Sequence, residues 1–280
     1  MTGLAPADGH TQAVGEACRN CGAVLAGAWC HGCGQKADAY HRSARHLVGD
    51  AVEDLFHYDG RFRKTVPRLI WRPAQLTRDY LDGKRAAQVP PLRMYVVAFL
   101  ILLFAWTANQ EAIGVRYRLA APPAAVAAAK VDRAATDAPF VHWLRERARH
   151  AIAHPDDVFD AMERMAEISA VLMLPLTALL LGGLFASRPG LYLFDHLIFA
   201  MHSLTFVALL LSVVLLASLV TPAATWLLLA IPVHLFAHLS GAYRTSVAGA
   251  SMRLVGLMLG LVAAFIFILA GLMAVSLATA

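Results

Sequence analysis

Charge is what this sequence has least of. Asp, Glu, Lys and Arg make up 15% of its 280 residues and hydrophobic residues 59%, against about 25% and about 45–50% in an ordinary globular chain. A mean hydropathy of +0.57 is too apolar for disorder, and so few charges cannot solvate a water-facing surface of this size. The scarcity is uneven. Residues 1–93 hold 13 basic and nine acidic residues, 94–167 eight and nine, and 168–280 only Arg188, Arg244, Arg253 and the lone acid Asp195. That last stretch excludes a water-soluble domain and points to membrane. The basic excess of the first third is diluted by its acids and lacks an aromatic stacking strip, so nucleic acid is not an expected partner. Walker A, G-x-S-x-G, H-E-x-x-H and dinucleotide signatures are all absent. The opening MTGLAPADGH has neither a basic start nor an apolar run, so no secretory signal is expected.

What is there is apolar helix. A bilayer core about 30 Å thick needs roughly 17–25 apolar residues as a helix. Five stretches qualify: 92–108, 168–187, 191–220, 225–243 and 254–278. The third is longer than one span, so residues 191–200 can lie in the interface or cross. The predicted class is all-α, a polytopic bundle of about five transmembrane helices in contact with lipid. Short loops rich in Lys and Arg stay on the cytoplasmic side. An N-in, C-out arrangement puts Arg188, Arg244 and Arg253 there, with Arg78, Lys84, Arg85 and Arg93 before the first span. The expected location is a bacterial inner membrane, N-terminus cytoplasmic and C-terminus periplasmic, with an outer loop at 109–167. In that loop His142, His150 and His154 read as a solvated face or a surface metal site.

All four cysteines fall within 16 residues, as Cys18-Arg-Asn-Cys21-Gly and Cys30-His-Gly-Cys33-Gly. Two such pairs match paired zinc knuckles, each wrapping two thiolates around one side of a tetrahedral ion, with glycine allowing the tight turn. Disulfides are the alternative, disfavoured for a cytoplasmic segment. Four thiolates close the shell, so one structural Zn is expected and a catalytic one is not. His31 reads as a solvated loop residue and Trp29 as a packing residue between the knuckles. Residues 1–39 form this ribbon-like region, whose expected partner is a cytoplasmic protein.

Residues 40–91 precede the spans at 92–280. Leu47, Val48, Val52, Leu55 and Phe56 recur at helical spacing, as do Val66, Leu69, Ile70 and the run 76–80. Arg61, Arg63, Lys64, Arg68 and Arg72, followed by Lys84 and Arg85, allow two readings. One is an amphipathic helix on an anionic inner leaflet; the other is a helical collar packed under the spans. The order CRNCGAVLAGAWCHGCGQ, DLFHYDGRFRKTVPRLIWRPAQLTRDYLDGKR and PPLRMY, with HLIFAMHSLTF and Tyr243 later, resembles an uncharacterised family of bacterial inner-membrane proteins. Its members carry an N-terminal zinc-ribbon-like motif and are known as a domain of unknown function. The resemblance implies location and architecture and no reaction.

Ionisable residues at membrane depth are costly and therefore candidates for function. Asp195, His196 and His202 lie on the third span, His234 and His238 on the fourth. Counting inward from the span ends pairs Asp195 and His196 with His238, and His202 with His234. Asp195, His202, His234 and His238 are expected to cluster. A proton or ion relay, a metal or haem site, and a hydrogen-bonded helix clamp all remain open. A proton-linked transporter or channel and a membrane enzyme with a His-bound metal are the corresponding alternatives to an anchor, assembly factor or transport accessory. Gly256-Leu-Met-Leu-Gly260 reads as a close helix packing site, within the chain or between chains.

Overall fold

The architecture comes from a computed structural model, which describes residues 14–37, 60–120 and 172–279 together with Gln12 and isolated positions between 142 and 168. Among the described residues the chain is helical without named strands: α1 (Phe62–Trp71), α2 (Pro73–Leu81), α3 (Pro91–Ala120), α4 (Leu172–Leu184), α5 (Leu193–Ser218), α6 (Ala230–Ala242) and α7 (Val247–Thr279). A 3-10 stretch, Pro222–Leu229, leads into α6. Four segments are long and apolar enough to cross a membrane, Pro91–Gln110, Leu193–Ser218, Pro222–Ala242 and Val247–Phe267, and α4 is a shorter apolar helix. The expected periodic positions Leu47–Phe56, and His150 and His154 of the outer loop, lie outside the described residues; His142 is exposed.

Neighbouring helices are fixed by specific contacts. Asn109 of α3 donates to the Leu215 carbonyl (2.8 Å) and to Ser218 Oγ (3.3 Å) near the far end of α5. At the other end, Tyr95 shares a cluster with Ile198 and Met201, so α3 and α5 run parallel. Cβ atoms built on Gly256 and Gly260 would sit 3.1 Å from Leu184 and Leu180 side chains. The glycine pair therefore packs α7 antiparallel against α4 within the chain.

The segment before the first span departs from a collar lying under the bundle. Pro73 opens α2 and holds Arg72 out of helical geometry (φ −139°, ψ 52°), as the residue before proline requires. The break turns α2 back, so Leu69 and Leu76 join Val89, Met94 and Phe206 in one buried cluster while Tyr80 joins Phe194 and Ile198 in another. Thr65, Leu69, Leu76 and Thr77 are buried, and Gly241 of α6 lets Ala74 approach so closely that an added Cβ would sit 2.5 Å away. The α1–α2 pair is thus wedged among the spans. At its far end Gly83 (φ +92°) closes α2. Gly83 N–H bonds the Tyr80 carbonyl and Lys84 N–H bonds that of Asp79, the paired reverse bonds of a helix-terminating glycine.

Candidate functional site

The ribbon is two copies of one local structure. In each knuckle the first cysteine's N–H bonds the carbonyl five residues on, Cys18 to Ala23 (2.8 Å) and Cys30 to Gln35 (2.9 Å). The glycine N–H returns to the cysteine carbonyl, Gly22 to Cys18 and Gly34 to Cys30, both 2.8 Å. Gly22 and Gly34 have φ of +80° and +71°, a conformation that disfavours side chains. Isolated bridges Ala17–Val24 and Trp29–Lys36 close the two loops.

This fold brings the four sulfurs together, all within 4.8 Å of one another. Cys18 and Cys33 Sγ are 3.7 Å apart, Cys21 and Cys30 Sγ 3.5 Å. A disulfide would need about 2.05 Å. The edge of a tetrahedron with metal–sulfur bonds of about 2.3 Å is about 3.8 Å. The donor set therefore fits a closed four-thiolate metal shell. Without a cation the sulfurs compete for protons. Burial opposes ionisation of Cys30, yet the Gly32 N–H, the Cys21 thiol and the Cys33 N–H outweigh it and lower its pKa to about 6. The Ala23 N–H favours the Cys21 thiolate, but Cys30, burial, Cys33 and Cys18 raise its pKa to about 12. A bound cation removes that conflict by accepting all four thiolates. His31 is exposed, as expected of a loop residue. Trp29 is not the packing residue its position suggested: it is 61% exposed, with Val24 and Val14 exposed as well, because its bridge to Lys36 uses only backbone.

Gln35, immediately after the second knuckle, ties the ribbon to the bundle. It is buried; its Nε2 donates to the Gly83 carbonyl (2.8 Å), and its Oε1 accepts from Arg85 N–H (3.0 Å) and Ala86 N–H (3.1 Å). Those are the glycine that ends α2 and the residues just past it.

Six residues back along α2 from that glycine, Thr77 forms the centre of the buried polar site. Its hydroxyl lies 2.7 Å from His202 Nδ1 on α5 and 2.7 Å from His238 Nε2 on α6. Ser203 Oγ lies 3.0 Å from His238 Nδ1, completing a chain Ser203–His238–Thr77–His202. His234 Nε2 donates to the Leu69 carbonyl of α1 (2.8 Å), and Phe206 stacks on its ring at 3.5 Å. The side chains of Thr77, His202 and His238 are closed to solvent.

The register differs from the one counted inward from the span ends. His202 pairs with His238, His234 with Phe206, and His196 Nδ1 with the Tyr243 hydroxyl at 2.8 Å. The first turn of α5 projects beyond the end of α6, which shifts the pairing by about one turn. Asp195 leaves the expected cluster: its Oδ2 accepts from the Tyr192 N–H (3.0 Å) and caps the start of α5. Thr77, Ser203 and Gln35 are the site residues that sequence reasoning missed. Among the described residues the four cysteines are the one group of three or more His, Cys, Asp or Glu with converging ligand atoms; the histidines bond Thr77, Ser203, the Leu69 carbonyl and Tyr243 instead, while His202 Nε2 and His234 Nδ1 are buried without a hydrogen-bond partner.

The basic residues also divide. Arg68 and Lys84 pair with Asp79, Arg61 donates to the Ala86 carbonyl, and Arg85 lies 4.6 Å over the Tyr80 ring. Arg63, Lys64 and Arg72 are exposed.

A family model described as a protein of unknown function (DUF3667) matches residues 59–103. The match covers α1, α2, the Gly83–Ala86 turn and the start of α3, and so includes Thr77. No curated protein and no solved structure matches the chain. The chain is thus a protein with membrane-span-like helices and a four-cysteine candidate metal site, similar over its wedge segment to a family without assigned function.

Proposed function

We propose that this chain is a five-span bacterial inner-membrane protein, N-terminus cytoplasmic, whose ribbon holds one structural zinc and presents a docking surface to a cytoplasmic protein, the bundle serving as anchor or assembly scaffold. The observation that carries this reading is the ribbon itself: four sulfurs spaced for a tetrahedral metal, a buried glutamine tying it to the bundle, and Trp29, Val24 and Val14 left open. Exposed aromatic and aliphatic side chains on a rigid, metal-held module suit protein recognition better than catalysis. Arg188 donates to the Tyr243 carbonyl and Arg253 to the Leu184 carbonyl, so these two arginines gather at one end of the bundle. Gln35 holds the ribbon to the turn that ends α2, whose Ala74 packs on Gly241 of that same end. That fits a cytoplasmic side. The test is co-purification of full-length protein in mild detergent. Wild type carries one zinc and a stoichiometric cytoplasmic protein; Trp29→Ala keeps the zinc and loses the protein. Loss of neither sinks the docking role, and iron in place of zinc corrects the metal.

A second reading, a proton-linked transporter, draws on the continuous Ser203–His238–Thr77–His202 chain. Imidazole and hydroxyl groups in line can pass a proton by reversing every donor and acceptor. It predicts pH-dependent flux in liposomes that Thr77→Val abolishes; flux unchanged by that substitution refutes it.

A further inference from the structure

The face that α1 turns away from the bundle has a graded character. Thr65 and Leu69 are buried; the opposite face carries Arg63 and Lys64 in its first turn and Pro67, Ile70 and Trp71 in its last two, all exposed. Ile70 is 40% and Trp71 81% exposed. The helix sequence FRKTVPRLIW holds no acid, Arg68 is engaged by Asp79, and Arg72 follows at the tip, exposed. The helix is also oriented. Its first turns lie at the foot of α3, where Thr65 Oγ1 accepts from Val89 N–H (3.2 Å) and Arg61 donates to the Ala86 carbonyl (3.4 Å). Its last turn lies deeper, where the Leu69 carbonyl accepts from His234. His234 is eight residues inside the end of α6, about 12 Å at 1.5 Å per residue. Beside it on α6, Val233 is exposed, as is Leu229 at the end of the 3-10 stretch a turn further in, so Ile70 and Trp71 sit at the level of an apolar surface left open among the described residues.

We propose that this face binds an anionic phospholipid of the leaflet on the ribbon side. Arg63 and Lys64 take the phosphate headgroup, and Pro67, Ile70 and Trp71 lie along its acyl chains. The proposal rests on the membrane-spanning reading, which is checked separately by whether the protein resists alkaline extraction from membranes. Cations at the headgroup level with an aromatic ring below them match the two zones of a lipid. A water-facing protein ligand would leave Trp71 unexplained at that depth.

The experiment uses full-length protein purified in detergent and given defined lipids. In native mass spectrometry, phosphatidylglycerol should bind more tightly than phosphatidylcholine. The variant Arg63→Gln/Lys64→Gln should lose that preference, with binding reduced roughly fivefold per cation removed, while metal content and thermal unfolding stay as in wild type. In nanodiscs containing lipids brominated along the chains, wild type should be quenched more than Trp71→Phe, the difference reporting Trp71. Equal binding of the two lipids, an unchanged double variant, or a Trp71 quenched by aqueous acrylamide and not by bromolipid overturns the proposal. A co-purifying protein that shields Trp71 from both quenchers overturns it as well.

Discussion

Replacing Thr77 by valine tests the buried polar site directly. Valine keeps the shape of the side chain, so neither a cavity nor a clash is introduced, and only the hydroxyl is lost. That hydroxyl has one proton and sits 2.7 Å from two imidazole nitrogens, so it donates to one histidine and accepts from the other. Both nitrogens are closed to water and both lose their partner. An orphaned buried polar group costs about 1–3 kcal/mol in a soluble protein, while side-chain hydrogen bonds between membrane helices average about 0.6 kcal/mol. Two such losses give about 1–6 kcal/mol. Reversible unfolding of the full chain in mixed micelles reads this number, and hydrogen exchange of the α2 amides should rise before that of α5. Thr77→Ser, which restores the hydroxyl and removes one methyl, should cost about 0.8 kcal/mol. If Thr77→Val falls within about 0.5 kcal/mol of wild type, below even one average bond, the hydroxyl does not hold α2 in the bundle.

Other substitutions separate the remaining contacts. Cys21→Ser should remove the metal, read by elemental analysis, and expose residues 12–37 to protease, since a structural metal supplies most of the folding free energy of so small a module. Gln35→Ala removes three hydrogen bonds to the Gly83–Ala86 turn, about 0.5–1.5 kcal/mol each; the ribbon should keep its metal and yet show faster hydrogen exchange, together with residues 83–86. Gly241→Ala should destabilise by about 1–3 kcal/mol, because its new methyl meets the Ala74 Cβ at 2.5 Å with nothing flexible to yield. Gly256→Ala meets only the movable tip of Leu184 and should cost less in the same unfolding assay; the reverse order would refute the packing described for α6.

Much of this was legible because it is local. Two Cys-x-x-Cys-Gly units fix their own turns, so the converging sulfurs follow from spacing alone, and hydropathy finds the spans because each is a continuous run. What the sequence hid depends on how helices slide past one another. Hydropathy sets where a span begins and ends to within a turn, and one turn decides whether His238 faces His202 or Asp195. Asp195 carried a signal of its own, standing third in α5 where a carboxylate caps the helix start. Thr77 also left a trace: Pro73, Leu76, Thr77 and Tyr80 form the buried stripe of α2, and a hydroxyl in an apolar stripe needs a partner.

That trace changes what the buried histidines mean. Three of them spend a nitrogen on α1 or α2 rather than on one another: His234 on the Leu69 carbonyl, His202 and His238 on Thr77. The helices do bond directly, Ser203 to His238 and His196 to Tyr243, but a pair that needed only to clamp each other would not also spend three histidines on a third element. Here the wedge is the shared partner, and it is continuous with the turn that Gln35 grips. The ribbon, the wedge and the histidines form one connected hydrogen-bonded path, so loosening the metal site and removing the Thr77 hydroxyl should both free α2. The first acts at the turn that ends α2 and the second at its middle. If α2 moves as a rigid unit, combining Gln35→Ala with Thr77→Val should cost less than the sum of the two alone, because a wedge already released at one end has less left to lose. Strict additivity would mean that the ribbon and the buried histidines hold the wedge independently.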